Sequence, residues 1–322
     1  MLAIVVASFA ATAQAQTTAN RNSSNLLLPF LNLLTVPDLL ATNLQQAASI
    51  NNGSTTAQRD QAVIDNTLAL ANGSAVADGL GTRMDQIYQN AIASSPEVLA
   101  SSGNIVQVFS QANGLATADA AFNKLFFLGG TVAATGNSTV DLRPFQVAPD
   151  QIQNFAPSIL SPLTDNPAFP SGHSTFAYTQ NLLFAIMVPE RYQPLLTRAS
   201  EYGDSRIVLG AHYPLDIIGG RIIATYDVVQ LLNDNPAYLG QTVDVPLGGT
   251  VTTSSDFATL FANATSDLRT LLQQGCGTDL ATCAATGAPD RFANPQQNRS
   301  EDRKSTRLNS SHIQKSRMPS SA

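Results

Sequence analysis

Two short segments of the chain concentrate the side chains that could handle a phosphate group. The first reads Pro170-Ser171-Gly172-His173, and the second runs from Ser205-Arg206 to His212 and Asp216. The chain has three histidines, and two of them lie in these segments. We therefore take the two as the candidate acid and nucleophile of a phosphoryl transfer.

The second segment has the spacing of an oriented histidine. His212 and Asp216 are four residues apart, and Pro214 between them is typical of the first turn of a helix. Asp216 can accept a hydrogen bond from one imidazole nitrogen and leave the other free to attack phosphorus. The alternative is that Asp216 only stabilises the positive end of the helix. In the first case His173 would protonate the departing alkoxide.

Phosphoryl oxygens also need donors, and the chain offers several beside the histidines. Arg206 and Arg143 are permanently charged forks that suit phosphate oxygens. Ser171 leads directly into a predicted helix, where free N–H groups and the bare Gly172 favour an anion. The alternatives are ion-paired surface arginines and an ordinary serine N-cap.

Helices must position these residues, because strand patterns are scarce. The apolar periodicity predicts helices over 174–188, from Pro189, and over 214–232, and a helical pattern over 38–130. We predict an irregular arm over 17–35 and a loop-rich stretch over 129–170. A hairpin over 242–253 is the best candidate for β-structure.

The two histidine segments resemble the second and third signature motifs of the type 2 phosphatidic acid phosphatase and vanadium haloperoxidase superfamily. Their context is most similar to secreted bacterial nonspecific (class A) acid phosphatases. The resemblance implies an all-α fold, a single compact helical bundle with long active-site loops. It also implies that His212 forms a phosphohistidine supported by Asp216, and that His173 is the acid. Arg206, Ser171 and the Gly172 amide would bind the phosphoryl oxygens.

The first motif of the superfamily, Lys-(six residues)-Arg-Pro, is only partly present. Arg143-Pro144 matches its end, but the lysine position is Gly136. Lys124 is the only lysine outside residues 302–322. Either Lys124 reaches the phosphate through a longer loop, or the site works without a lysine and Lys124 is a solvated surface group.

These observations predict a metal-independent, cofactor-free acid phosphatase that hydrolyses phosphomonoesters, with small-molecule phosphate esters as its partners. We expect an acid pH optimum, because His173 must be protonated while His212 is neutral. The alternatives are a vanadate-dependent haloperoxidase, a lipid or pyrophosphate phosphatase of the same superfamily, and an exported phosphate-binding protein without turnover.

Composition and the N-terminus set further limits. The net charge of −6 favours neither nucleic acid nor an anionic membrane, and no apolar run is long enough for a membrane span. Residues 1–15 are predicted to be a signal peptide, which implies a secreted or periplasmic protein. The alternative is a buried N-terminal helix. Cys276 and Cys283 could form a disulfide or remain as two buried thiols.

We predict one helical domain over 16–301, with a motif core over 136–232. Back-translated, residues 302–322 look like a widely used short-read sequencing adapter. We therefore predict that this stretch, which includes His312, is a disordered artefact outside the folded domain. The alternative is a disordered tail rich in serine, arginine and lysine.

Overall fold

The computed structural model describes residues 23–67, 72–93, 103–127, 141–244, 249–286 and 292. The predicted signal peptide, the predicted artefact and Gly136 lie outside these residues. The α-helices of the described part are, in chain order, α1 Ser23–Leu33, α2 Pro37–Asn52, α3 Thr56–Thr67, α4 Thr82–Ala93, α5 Gly103–Phe127, α6 Pro144–Val147, α7 Pro157–Leu160, α8 Gly172–Met187, α9 Tyr192–Val208, α10 Pro214–Leu232, α11 Phe257–Cys276 and α12 Leu280–Ala285.

Short 3₁₀ helices and one small sheet complete these elements. The 3₁₀ helices span Ser74–Leu80, Ser161–Leu163 and Pro189–Arg191. Strands β1 Thr242–Asp244 and β2 Thr250–Thr252 pair antiparallel, with Val243 opposite Val251. The predicted hairpin and the all-α fold class are thereby confirmed.

The central helices match the prediction. α8 and α10 cover the predicted apolar segments almost residue for residue, and α9 follows the 3₁₀ turn that Pro189 begins. α8 packs against α5, α9 and α10, so it lies at the centre of the bundle. In its core-facing stretch Phe184 is fully buried, with its ring centroid 5.1 Å from that of Tyr88 and 4.5 Å from that of Phe109.

The irregular arm predicted over 17–35 is wrong for its described part, because Ser23–Leu33 is helix α1. Pro29 lies inside this helix and should disfavour it. Packing outweighs that cost: Leu27 is fully buried in a cluster with Phe169, and Phe30 stacks on the Phe169 ring at 5.3 Å between centroids. The helix propensity of a local segment does not include such packing against residues that are distant in sequence.

Glycines in α10 allow this helix to approach the start of α8. A Cβ on Gly220 would lie 2.6 Å from the carbonyl oxygen of Ser171 and 3.0 Å from the amide nitrogen of Thr175. A Cβ on Gly219 would lie 2.6 Å from the Phe169 ring. The two histidine segments are therefore brought together by a helix contact that only glycine permits.

The two cysteines are bonded to each other. The Cys276–Cys283 disulfide joins the end of α11 to α12, and Cys283 is buried in the main core. This decides between the two predicted alternatives in favour of a disulfide. In the part of the chain that the structure describes, no helix is long and apolar enough to cross a bilayer.

Candidate active site

The first histidine segment forms the start of α8. Ser171 is its N-cap, with an extended backbone and a buried hydroxyl that accepts hydrogen bonds from the Ser174 amide at 3.3 Å and the Ser174 hydroxyl at 2.9 Å. The Ser171 amide donates to the Asp216 carbonyl oxygen at 3.0 Å. A Cβ on Gly172 would meet no protein atom within 4 Å, so packing alone does not require glycine there.

A tight turn after α9 presents His212. Gly210 has a φ of +76°, and a Cβ there would lie 2.4 Å from Ile152 Cγ2, so both conformation and space require glycine. The Ala211 amide donates to the Arg206 carbonyl at 3.1 Å. Buried Asn51 supports the turn by donating to the Val208 carbonyl at 2.7 Å.

His212 and Asp216 form a buried pair. His212 Nδ1 lies 3.1 Å from Asp216 Oδ2, which also accepts from the Tyr213 amide at 2.8 Å. With Oδ2 as acceptor, Nδ1 carries the proton and the lone pair is on Nε2. Burial and the nearby Arg143 lower the pKa of His212 well below its usual range, while burial and Asp141 raise the pKa of Asp216. Both shifts favour the neutral side chains.

Arg143 places an N–H against the free nitrogen of this histidine. Its Nη1 lies 3.1 Å from His212 Nε2 and donates to the Ala211 carbonyl at 2.8 Å. Its Nε contacts the carbonyl oxygens of Leu163 and Asn166, and its Nη2 donates to the Pro167 carbonyl at 3.0 Å. Arg143 thus connects the turn that presents His212 to the loop that precedes α8.

Arg206 is fully buried but has donors to spare. Its Nη1 donates to Asn66 Oδ1 at 2.7 Å, whereas Nε and Nη2 have no hydrogen-bond partner among the described residues. A buried guanidinium N–H without an acceptor lowers the stability of the fold, so the Arg206 side chain favours the binding of an anion. Arg206 therefore has the donors that two phosphoryl oxygens would need.

The α9 helix that carries Arg206 is fixed to α3 by a buried carboxylate. Asp65 accepts from Arg198 Nη2 at 2.6 Å and from the Ser205 hydroxyl at 2.6 Å, and its carbonyl accepts from Tyr202 at 2.7 Å. Asn66, the next residue along α3, then meets Arg206. In this motif Ser205 therefore has a positioning contact.

Lys124 lies on the last turn of α5 and reaches the same loop as Arg143. Its Nζ donates to Asn166 Oδ1 and to the Pro167 carbonyl, both at 2.8 Å. Burial and Arg143 lower the pKa of Lys124 to about 7, although Asp141 and Asp216 oppose this shift. The structure thus places the single lysine of the described chain beside the site, without the motif spacing.

His173 lies in the first turn of α8 and is partly exposed. Its surroundings are nevertheless dense and cationic: burial, then Arg206, Lys124 and Arg143 lower the pKa of His173 well below its usual range. The two histidines are close enough for the charge of His173 to lower the pKa of His212. The structure therefore brings together all eight predicted site residues, from four separate stretches of chain.

Three further residues near the candidate site were not singled out from the sequence. Asn66 and Asn166 are single asparagines whose contacts with Arg206, Lys124 and Arg143 bridge distant segments. Asp141 is close to Arg143 in sequence, which is the one clue that could have drawn attention to it. Among the described residues, no group of His, Cys, Asp or Glu side chains is arranged to hold a metal ion.

Comparison with known proteins points to one family. The non-specific acid phosphatase of Providencia stuartii is 33% identical over 79 residues, which are 24% of this chain and 32% of that protein. The corresponding enzyme of Salmonella typhimurium is 35% identical over 69 residues, 21% of this chain and 28% of that protein. The lipid A 1-phosphatase of Rhizobium etli is 33% identical over 75 residues, 22% of this chain and 32% of that protein.

These alignments span a third or less of the length of each relative. The family model described as the PAP2 superfamily matches residues 120–232, a range that includes Lys124, Arg143 and both histidine segments. Over residues 120–232 the chain is therefore similar to the PAP2 superfamily.

Proposed function

We propose that this protein is a phosphatase that hydrolyses phosphomonoesters through a phosphohistidine on His212. One observation supports the proposal above all: His212 Nε2 lies 3.1 Å from Arg143 Nη1, while Asp216 holds its other nitrogen at 3.1 Å. Lys124 and Arg206 are close enough for their charges also to lower the pKa of His212. Arg206 adds two buried N–H-bearing nitrogens without partners. Such a cluster suits a phosphoryl group, whose charge grows on its oxygens during transfer.

The chemistry divides into two steps. His212 Nε2 attacks phosphorus, the bond from phosphorus to the ester oxygen breaks, and the departing alkoxide takes a proton from His173. Water then attacks the phosphohistidine, His173 takes up a proton from that water, and phosphate leaves with His212 restored. Arg206, the Gly172 amide and Ser171 would hold the phosphoryl oxygens throughout. No metal or cofactor takes part in either step.

An acid optimum follows from the charges around His173. The first step requires a protonated His173, but burial and then three neighbouring cations lower the pKa of His173. The protonated fraction therefore rises as the pH falls below neutrality. Protonation of His212 removes the nucleophile, so activity declines in the pH range where His212 becomes protonated.

The experiment that tests this proposal uses two histidine variants and ³²P-labelled p-nitrophenyl phosphate in the presence of EDTA. We expect His212→Ala to lose hydrolysis and to retain no label after an alkaline quench. His173→Gln should still be labelled, because p-nitrophenolate leaves without an acid, and should accumulate the label, because its base for the second step is missing. Full activity of His212→Ala, or an unlabelled His173→Gln, contradicts the mechanism.

A lipid monophosphate is the second candidate substrate, because some matched relatives are named lipid A 1-phosphatases. The described surface also exposes neighbouring apolar side chains at Leu33, Val36 and Leu40. The two substrate classes separate by comparing kcat/KM for a water-soluble and a micellar phosphomonoester. The haloperoxidase alternative stays a prediction, which peroxide-dependent bromination after vanadate loading would test.

We also propose that the protein is exported. The Cys276–Cys283 disulfide supports this, because such bonds persist in oxidising compartments. Mass spectrometry of the protein recovered outside the cytoplasm tests the proposal, with cleavage before Gln16 as the expected N-terminus.

A further inference from the structure

The loop that leads into α8 is held by three charged side chains. Arg143 and Lys124 donate to its carbonyl groups at Asn166 and Pro167. Asp141 has the complementary role, since it accepts hydrogen bonds from the backbone N–H groups that follow. The loop ends at Pro170, next to Ser171, so its position decides where the predicted anion site begins.

Asp141 holds two consecutive amides. Its Oδ2 accepts from the Phe169 amide at 2.6 Å, and its carbonyl oxygen accepts from the Ala168 amide at 3.1 Å. The Phe169 ring packs closely on Gly219 and stacks on Phe30, so its backbone and its side chain are both fixed. Two residues further on, the Ser171 amide meets the Asp216 carbonyl.

The backbone of Asp141 also restricts which residue can stand there. Its φ is +62°, in the left-handed region that favours glycine, asparagine and aspartate. This turn directs the chain into the extended Arg143, whose side chain faces His212. Residue 141 must therefore satisfy two conditions: a left-handed backbone and an acceptor for the Phe169 amide.

We propose that Asp141 is a positioning residue of the active site. Its hydrogen bond and its left-handed backbone keep Ala168–Pro170 in place, so that Ser171 and Gly172 lie opposite His212. It acts through the acceptor oxygen and the turn rather than through its negative charge. The inference rests on the proposed function, because the site it positions is the phosphate site.

Three substitutions separate these contributions. Asp141→Asn keeps the left-handed preference and an acceptor oxygen but removes the charge. Asp141→Gly keeps the backbone but removes the acceptor, and Asp141→Ala removes both. We expect kcat/KM of Asp141→Asn to stay within about threefold of the parent protein. We expect that of Asp141→Gly to fall roughly tenfold to a hundredfold, because the amide of buried Phe169 loses its acceptor. Asp141→Ala should be at least as impaired.

The second readout is the affinity for inorganic phosphate, measured as the rise in Tm with phosphate concentration. It should weaken in Asp141→Gly and be retained in Asp141→Asn. This readout needs no turnover, so it is interpretable even if His212→Ala contradicts the phosphohistidine mechanism. Circular dichroism and the Tm without phosphate verify that each variant is folded.

Three results would overturn the proposal. Equal impairment of Asp141→Asn and Asp141→Ala would assign the effect to the charge. Full activity and phosphate affinity in Asp141→Gly would show that the acceptor is unnecessary. Loss of the folded state in Asp141→Gly would assign Asp141 to the stability of the whole fold instead of the site.

Discussion

Arg143 and Arg206 differ in how many of their guanidinium nitrogens remain available to donate a hydrogen bond to a ligand. Each nitrogen of Arg143 contacts a carbonyl oxygen of the neighbouring loops, and one also faces His212 Nε2. Arg206 has one hydrogen bond, to Asn66, and two nitrogens without partners in the described chain. We infer that Arg206 takes phosphoryl oxygens directly, while Arg143 first holds the nucleophile and the loop.

The positive charge of Lys124 gives a prediction that can be tested by removing it. Lys124→Met should lower kcat/KM roughly tenfold to a hundredfold, the cost of a lost charge-assisted hydrogen bond. Lys124 also lowers the pKa of His173, so its removal should raise that pKa and move the alkaline limb of the pH–rate profile to higher pH. Steady-state kinetics from pH 4 to about 9 would measure both effects.

Lys124→Arg is the matched control for this prediction. It retains the positive charge, so the alkaline limb should stay in place even if the altered geometry lowers the rate. Unchanged kcat/KM together with an unchanged pH profile in Lys124→Met would remove Lys124 from the site.

Part of the site could be predicted from sequence at this scale. Residue type and spacing singled out His173, Arg206, His212 and Asp216 as candidates, because two short segments contain them all, and the structure places the two segments next to each other. Lys124 was considered only because the chain offers no other lysine outside 302–322. Asn166 and Asp141 could not be predicted, because their contacts depend on the tertiary path of the loop before α8. Asn166 accepts from the side chains of Lys124 and Arg143, whereas Asp141 accepts from backbone amides of that loop.

Among the secondary-structure elements, the close approach of α10 to α8 determines whether the two histidine segments meet. The predicted periodicity located both helices, but it did not show that Gly219 and Gly220 face the start of α8. Helix α1 was missed for a related reason, because its stabilising contacts with Phe169 are distant in sequence. Local patterns therefore predict elements better than the contacts between them.

The close contact between α8 and α10 predicts the effect of adding one methyl group at position 220. In Gly220→Ala the new Cβ would overlap the Ser171 carbonyl, so α8 and α10 must separate locally. We expect the free energy of unfolding to fall by about 1–3 kcal/mol, as for other overpacked sites, and kcat/KM to fall with it. Denaturant unfolding and p-nitrophenyl phosphate kinetics provide the two measurements.

Gly103→Ala is the control, because a Cβ there would meet nothing within 4 Å. It should change neither stability nor kcat/KM appreciably. If Gly220→Ala behaved in the same way as Gly103→Ala, the close helix approach would not be needed for the site.

In the molecule as a whole, the Cys276–Cys283 disulfide closes a short loop near the end of the described chain. Cys276 and Cys283 are separated by 7 positions, and the bond attaches α12 to α11. Leu280 and Cys283 of α12 pack in the main core, and the Ala284 carbonyl accepts a hydrogen bond from Arg191 at 3.4 Å. The bond thus helps α12 to cover the bundle.

Removing the disulfide should lower stability without changing the chemistry. For a loop of this size, Cys276→Ser with Cys283→Ser should reduce the free energy of unfolding by about 2–3 kcal/mol. At 25 °C kcat/KM should be unchanged, because the site residues belong to other elements. Urea denaturation of the variant and of the oxidised and reduced parent protein measures the effect; equal midpoints for all three would contradict it.

The contact between Arg143 and His212 Nε2 has a consequence for selectivity. While this N–H occupies the lone pair, the imidazole is shielded from electrophiles. A phosphomonoester carries an anionic oxygen that can accept the N–H instead, and this exchange exposes the lone pair at the moment that phosphorus is in reach. An uncharged triester has no such oxygen, so under the proposed mechanism the charge of the ligand would determine when His212 becomes available as the nucleophile.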